Sequence, residues 1–335
     1  MNSRDIFLNA LTRKETPRPA TGSATSMVTT DLMEKVGVSF PEAHTDAECM
    51  AKLAESSHTV LGFDNVMPLY SVWHESAALG CKVNWGDPGH MPDSRGALYK
   101  IDDTIAIPDN LLSHPACKVP LEAIALLKKR IGGDAAVVGK AFGPWTLGYH
   151  LFGVEEFLIN TLLKPDLVKR AMERLKEVTV AFAMAQIEAG ADALCLPDHA
   201  TRDLCSPDAY REFLVDMHCE LAERIPCPLI LHICGDTADR IEYIRKTGIE
   251  CFHYDSKVPD ATARELAGDR LSLMGGSSNM DIVFKSSPET IQADVRAKID
   301  NCIDIIGPEC AVPLNAPYEN LMMIADAAKK FKKLP

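Results

Sequence analysis

The residues of this chain best suited to chemistry lie in Leu229-Ile230-Leu231-His232-Ile233-Cys234-Gly235-Asp236-Thr237. An apolar, β-branched run after Pro226-Cys227-Pro228 reads as a buried strand, and side chains two apart on a strand share a face. His232 and Cys234 are thus expected to present an imidazole and a thiol together, where the strand yields to a Gly-containing loop. Such a pair supplies half of a tetrahedral zinc site. With ten His and eleven Cys in 335 residues, one His-x-Cys arises by chance in roughly one sequence in three of this composition. Taken alone, the pair reads more readily as a core cysteine beside a hydrogen-bonded histidine. Only the rest of the chain can raise it to a metal site.

Two such groups need a scaffold, and from residue 135 onward strand and helix alternate. Strands are expected at Ala135–Pro144, Ala191–Leu196, Leu229–Cys234, Cys251–Asp255, Leu271–Gly276 and Cys310–Leu314. Helices fall between them. The clearest, 165–189, opens with Pro165-Asp166, buries Val168, Met172, Leu175 and Phe182, and stops at Gly190. Ser206-Pro207-Asp208 and Ser287-Pro288-Glu289 start two more, one is expected at 237–247, one at 259–267, and Pro317 opens a closing helix to about Lys332. Upstream come helices at 2–13, 46–60 and Pro120–Ile131, with candidate strands near 18–22 and 63–69. About eight strands in this rhythm predict one (β/α)8 TIM barrel over residues 1–335, with a helical N-terminal extension through residue 60. Residues 71–116 carry little periodicity and read as a long loop excursion, the kind that is usually functional. No Gly-x-Gly-x-x-Gly follows a strand, which weighs against a dinucleotide fold.

Bulk properties narrow the function. The chain is 47% hydrophobic and 24% charged with mean hydropathy near zero, as for a soluble globular protein. A formal charge of −12, which no Lys/Arg-rich tract offsets, argues against a general nucleic-acid binder. No apolar run approaches the ~18–20 residues that span a bilayer, and the N-terminus reads as an amphipathic helix, not a signal peptide. The eleven cysteines form no Cys-x-x-Cys and no disulfide-like framework, so reduced thiols in a cytoplasm are expected.

Barrel active sites lie at the C-terminal strand ends. There the fifth strand would offer His232 and Cys234, the sixth Asp255, and the eighth Cys310 in Gly307-Pro308-Glu309-Cys310. His, Cys and Cys with a carboxylate or an open position suit zinc; iron and copper fit this mixed set less well, and cobalt stays open. Asp198 and His199, after the fourth strand, read equally as support or substrate contacts and as a loop-exposed polar pair. Gly276 and Ser277, within Gly275–Asn279, could bind an anion such as a sulfonate through backbone N–H groups, or form a plain tight turn. His253 shares the face of Asp255 and could hydrogen-bond behind the metal. His44, His74 and His90 fall in loops and are assigned no role.

The constellation resembles the methylcobamide:coenzyme M methyltransferases, zinc enzymes on a uroporphyrinogen decarboxylase-like barrel. The resemblance is carried by His232-Ile-Cys234-Gly-Asp, by Gly307-Pro-Glu-Cys310-Ala-Val-Pro, and by Pro41–Glu48 with Met50–Ala54; Asn84-Trp85-Gly86 and Ala267–Arg270 extend it over nearly the whole chain. It implies His232, Cys234 and Cys310 as permanent zinc ligands, and an acidic residue after the sixth strand as the fourth until substrate arrives. Asp255 stands there in place of the Glu the family leads one to expect. The implied reaction passes a methyl group from methyl-Co(III) of a corrinoid, carried by a partner protein, to a small thiol, with coenzyme M as the expected acceptor; Co(I) is left behind. Zinc would supply the thiolate at neutral pH, and the 71–116 excursion is expected to help shape a mouth wide enough for the macrocycle.

Other readings remain. Homocysteine or a folate could replace coenzyme M, since cobalamin-independent methionine synthases share the His/Cys/Cys zinc set. A non-catalytic corrinoid-binding or metal-storage protein is another reading. A metal-free uroporphyrinogen decarboxylase is disfavoured, because the Arg-rich stretch that family carries after its first strand corresponds here to Pro19–Met27, which holds no Arg.

Overall fold

Eight apolar segments pair into one parallel sheet in the computed structural model, which describes residues 1–331. They are β1 (Ala20–Thr21), β2 (Asn65–Val66), β3 (Ala136–Lys140), β4 (Ala193–Pro197), β5 (Leu229–His232), β6 (Cys251–Tyr254), β7 (Ser272–Ser277) and β8 (Ile305–Pro308). Every sequential pair from β2 to β8 is hydrogen-bonded in parallel, and β8 pairs with β1. With helices between the strands this is the (β/α)8 TIM barrel expected from the alternation.

The seam between β1 and β2 is closed mostly by side chains, because strands of two residues offer almost no ladder. Asp64 N–H donates to the Thr21 carbonyl and Thr21 N–H donates to Asp64 Oδ2, both at 2.9 Å. Ser23 N–H donates to Asn65 Oδ1 at 3.1 Å, and Asn65 Nδ2 returns a bond to the Ser23 carbonyl at 2.8 Å. The Asp64 carboxylate is fully buried and is neutralised by a bidentate Arg18, each bond 2.7 Å long.

The first helix, Ser3–Leu11, covers the opposite end of the barrel. Asn2 caps it through Asp5 N–H, and its buried stripe is Ile6, Phe7, Ala10 and Leu11. Ser272 Oγ, at the start of β7, donates to the Ala10 carbonyl at 2.8 Å. The long helix Pro165–Ala189 ends on Gly190 at φ 113°, and Ser206 caps Pro207–Phe213 as its sequence predicts.

Several boundaries differ from expectation. The last strand is Ile305–Pro308, not Cys310–Leu314: the helix Pro288–Asp300 stops early, and Cys302 turns the chain at φ 56°. Cys310 therefore lies in the loop after the strand. Pro144–Phe152 and Val154–Leu163 are helices in a stretch to which the sequence reading assigns no element beyond Pro144. The excursion 71–116 is partly ordered, with a helix His74–Ala78, a hairpin of Val83–Asn84 and Asp93–Ser94, and a 3-10 turn Leu111–Ser113. The helix expected from Pro120 starts at Pro115, with His114 as its cap. The closing helix is Tyr318–Lys330; its expected end at Lys332 lies outside the described residues.

Candidate metal centre at the barrel mouth

His232 is the last residue of β5, 1% exposed, and Cys234 follows in the loop. The strand's alternation alone does not deliver the thiol; the turn at Gly235, φ 84°, completes its placement. The loop after β8 brings Cys310 across the mouth. The three donors form a triangle: Cys234 Sγ to His232 Nε2 is 3.1 Å, Cys310 Sγ to His232 Nε2 is 3.4 Å, and the sulfurs are 3.2 Å apart. All eleven cysteines are free, so this close pair is not a disulfide.

Donors around a tetrahedral zinc stand about 3.6–3.8 Å apart. The triangle's edges of 3.1–3.4 Å fall short of that by a few tenths of an ångström, and small side-chain rotations would open it. The protonation pattern also suits a metal. His232 Nδ1 is 3.2 Å from the His253 carbonyl oxygen, which can only accept, so Nδ1 carries the proton and Nε2 keeps its lone pair toward the sulfurs. Cys234 donates to Cys310, and this bond pulls the Cys310 thiol well below its ordinary range while raising Cys234. One proton between two sulfurs is the state a divalent cation would displace.

Around the triangle the chain is braced. The His253 ring lies 4.5 Å from that of His232, and burial pulls its pKa to about 3, so it is neutral and donates from Nε2 to the Pro308 carbonyl at 2.8 Å. The carbonyl of one histidine thus fixes the tautomer of the other, and its ring is tied to the end of β8. Glu309, whose role the sequence did not disclose, accepts Ser256 N–H at 2.9 Å and Asn279 N–H at 2.7 Å. It ties together the loops after β6, β7 and β8.

The remaining sequence candidates fall in different places. Asp255 Oδ2 accepts Gly235 N–H at 2.8 Å and Oδ1 accepts Lys257 N–H at 2.9 Å. Its carboxylate thus braces the Cys234 loop through one oxygen and its own loop through the other. Asp198 is fully buried, accepting from Thr146 N–H at 2.8 Å and from His218 Nε2 at 3.1 Å, so it is not loop-exposed. His199 does reach the centre, its donor atom within 4.8 Å of those of His232 and Cys234. Burial lowers its pKa to about 4 and keeps the ring neutral. Gly276 and Ser277 do not form an anion-binding loop: both are buried in β7, and Ser277 Oγ donates to Asp294 at 2.6 Å, in the helix layer.

Lys140 and Glu75 were also missed. Lys140 ends β3 in Val-Val-Gly-Lys, and a charged residue closing an otherwise apolar barrel strand was the signal available. Glu75 had none, since it lies in the excursion.

Barrel and site together define a class, and comparison with known proteins agrees. The uroporphyrinogen decarboxylase (URO-D) family model matches residues 2–331, and the chain belongs to that family. Within it, the chain is 34% identical to a methylated-thiol–coenzyme M methyltransferase of Methanosarcina mazei, over 91% of this chain and 83% of that one. It is 31% identical to the methylcobamide:CoM methyltransferase MtaA of Methanosarcina barkeri over 97% of each. A solved methyltransferase from Methanosarcina mazei superposes with a TM-score of 0.95 at 29% identity, covering 98% of this chain and 99% of that one. No described helix is long and apolar enough to cross a membrane.

Proposed function

We propose that this protein is a corrinoid-dependent methyltransferase. It would move a methyl group from a methylated corrinoid, presented by a partner protein, to a thiol activated by zinc, with coenzyme M as acceptor. The observation that carries the reading is the triangle of His232 Nε2, Cys234 Sγ and Cys310 Sγ, with the His232 tautomer fixed for ligation.

His232, Cys234 and Cys310 would hold the zinc. When bound, it supplies a thiolate at neutral pH by lowering the pKa of the acceptor thiol. The reaction balances as an in-line displacement. The acceptor sulfur bonds to the methyl carbon while the carbon–cobalt bond breaks. The bonding pair stays on cobalt, taking Co(III) to Co(I), and the thiol proton is released. His253 keeps His232 in its ligating tautomer, while Asp255 and Glu309 keep the two cysteine loops in register. His199 lines the same space as a neutral imidazole, available to the fourth position or to the acceptor.

A decarboxylase shares the family name but lacks support in the residues. Arg18, the cation next to the Arg-free Pro19–Met27 stretch, is already paired with Asp64 in the seam and is not available to substrate carboxylates.

The test is anaerobic absorbance of methylcobalamin mixed with the protein and coenzyme M, with and without a zinc chelator. Chelator-sensitive demethylation is expected. No spectral change with zinc bound, repeated with a methylated corrinoid protein as donor, would overturn the reading.

A further inference from the structure

A set of buried polar groups on the β2–β4 side of the mouth has no part in the centre just described. Lys140 is the first. A side chain at Gly139 would meet Gln186 and Leu194, both at 2.5 Å, so that position faces the helix layer. Alternation then turns Lys140 into the barrel, beside its register partner Cys195. Gln186 clamps the Lys140 backbone on both sides, accepting its N–H at 2.8 Å and donating to its carbonyl at 2.9 Å. The side chain is 4% exposed, yet its ammonium has no hydrogen-bond or ion-pair partner among the described residues.

The ammonium is linked to the donors by a short run of rings. Nζ lies 5.4 Å from the centre of the Phe142 ring, that ring is 6.1 Å from His199, and His199 is 6.2 Å from His232. Burial acts most strongly on Lys140, followed by the charges of Cys195, Glu75 and, less, Cys310. Further unpartnered atoms belong to the same region. Glu75 Oε1 accepts Phe142 N–H at 2.7 Å, but its Oε2 is buried without a partner, as are His74 Nε2 and both ring nitrogens of His44.

Burial lowers the Lys140 pKa to about 8, which still leaves it mostly charged at neutral pH, and raises that of Glu75 to about 7. Glu75 attracts the Lys140 ammonium through space but makes no ion pair with it, and a buried cation without a hydrogen-bonded partner is costly; a chain keeps one where a ligand supplies the missing contact.

We propose that the Lys140 ammonium anchors the anionic end of the acceptor, making the enzyme selective for short thiols that carry a sulfonate or a carboxylate. The inference rests on the thiol-methylation reading above. With the acceptor sulfur at the His232–Cys234–Cys310 centre, its tail would run past Phe142 to Lys140, and Glu75, when protonated, can donate from its unpartnered oxygen to a remaining anion oxygen.

The experiment uses zinc-loaded protein with methylcobalamin as donor and compares coenzyme M, 3-mercaptopropionate, 2-mercaptoethanol and cysteamine. Both anionic thiols are expected to exceed neutral 2-mercaptoethanol in kcat/KM by at least about tenfold, the worth of one charge-assisted hydrogen bond, with cationic cysteamine lowest. Anionic tails are thereby separated from neutral and cationic ones. Lys140→Met should bring that ratio toward one, mainly through KM, with zinc content unchanged and with inhibition by ethanesulfonate lost. Lys140→Gln serves if the first variant does not fold. A wild type that does not favour anions, or a Lys140 variant that keeps the preference and the inhibition, overturns the proposal. Failure of the zinc-loaded wild type to methylate any thiol overturns the functional reading, and the proposal with it.

Discussion

At the scale of single residues, the candidate centre depends on hydrogen bonds that leave the right atoms free. His232 has one nitrogen committed to the His253 carbonyl and one facing two sulfurs. Removing a sulfur should therefore remove the metal without harming the barrel: Cys310→Ala is expected to lose zinc by elemental analysis and to keep the wild-type circular dichroism spectrum. Asp255 predicts a graded result. Because both its oxygens hold backbone N–H groups of the loops, Asp255→Ala should weaken zinc about 10–100-fold, the usual effect of losing such a brace, measured by competition with a chromogenic chelator. Complete loss of zinc would instead mark Asp255 as a ligand. His232, Cys234 and Cys310 were legible because their residue types suit few other purposes in a mouth position. The work of Asp255 and Glu309 was not, since a carboxylate that accepts backbone N–H groups looks in sequence like any other carboxylate.

At the scale of elements, local punctuation was the reliable guide. The Ser206-Pro207 and Ser287-Pro288 starts and the Gly190 stop lie where the sequence puts them. The eighth strand was misplaced because Ile303 extends the apolar stripe of the helix before it, while Ala311-Val312-Pro313-Leu314 mimics a strand that Pro313 could not complete as a donor. The β7 glycines were misread for a related reason: a Gly-Gly pair signals a turn, yet here it lets two strands approach. At Gly276, φ is 76° and an added Cβ would lie 2.5 Å from Tyr254 Oη. Gly276→Ala should accordingly destabilise the fold by about 1–3 kcal/mol in urea titration, with the donor triangle's zinc content as a separate readout.

Across the whole molecule, the mouth concentrates neutral histidines. Burial pulls His74, His150 and His253 each to about 3, below the 6.5 of an unfolded chain. Their native forms bind fewer protons between those limits, so their contribution is fully present above pH 6.5 and is lost as pH falls toward 3. Each can steepen the dependence by at most about 1.4 kcal/mol per pH unit. Glu75, raised to about 7, acts with the opposite sign, losing its contribution as pH rises through 7, but it is one group against these three and His199, which burial lowers to about 4. Urea midpoints should therefore drop on acidification from pH 7 to 5, and His74→Phe should make that drop shallower.

The seam has a consequence for motion. From β3 to β8 the barrel is held by backbone ladders, but β1 and β2 meet through one backbone bond, Asp64 N–H to the Thr21 carbonyl, and the side chains of Asp64 and Asn65. The barrel thus has a built-in fault line, and cooperative opening should begin there. In native-state hydrogen exchange, the amides of Thr21, Ser23 and Asp64 are expected to open at lower free energy than those of Leu231 or Phe252. The molecule would breathe along its first strand while the floor beneath the two cysteines stays shut.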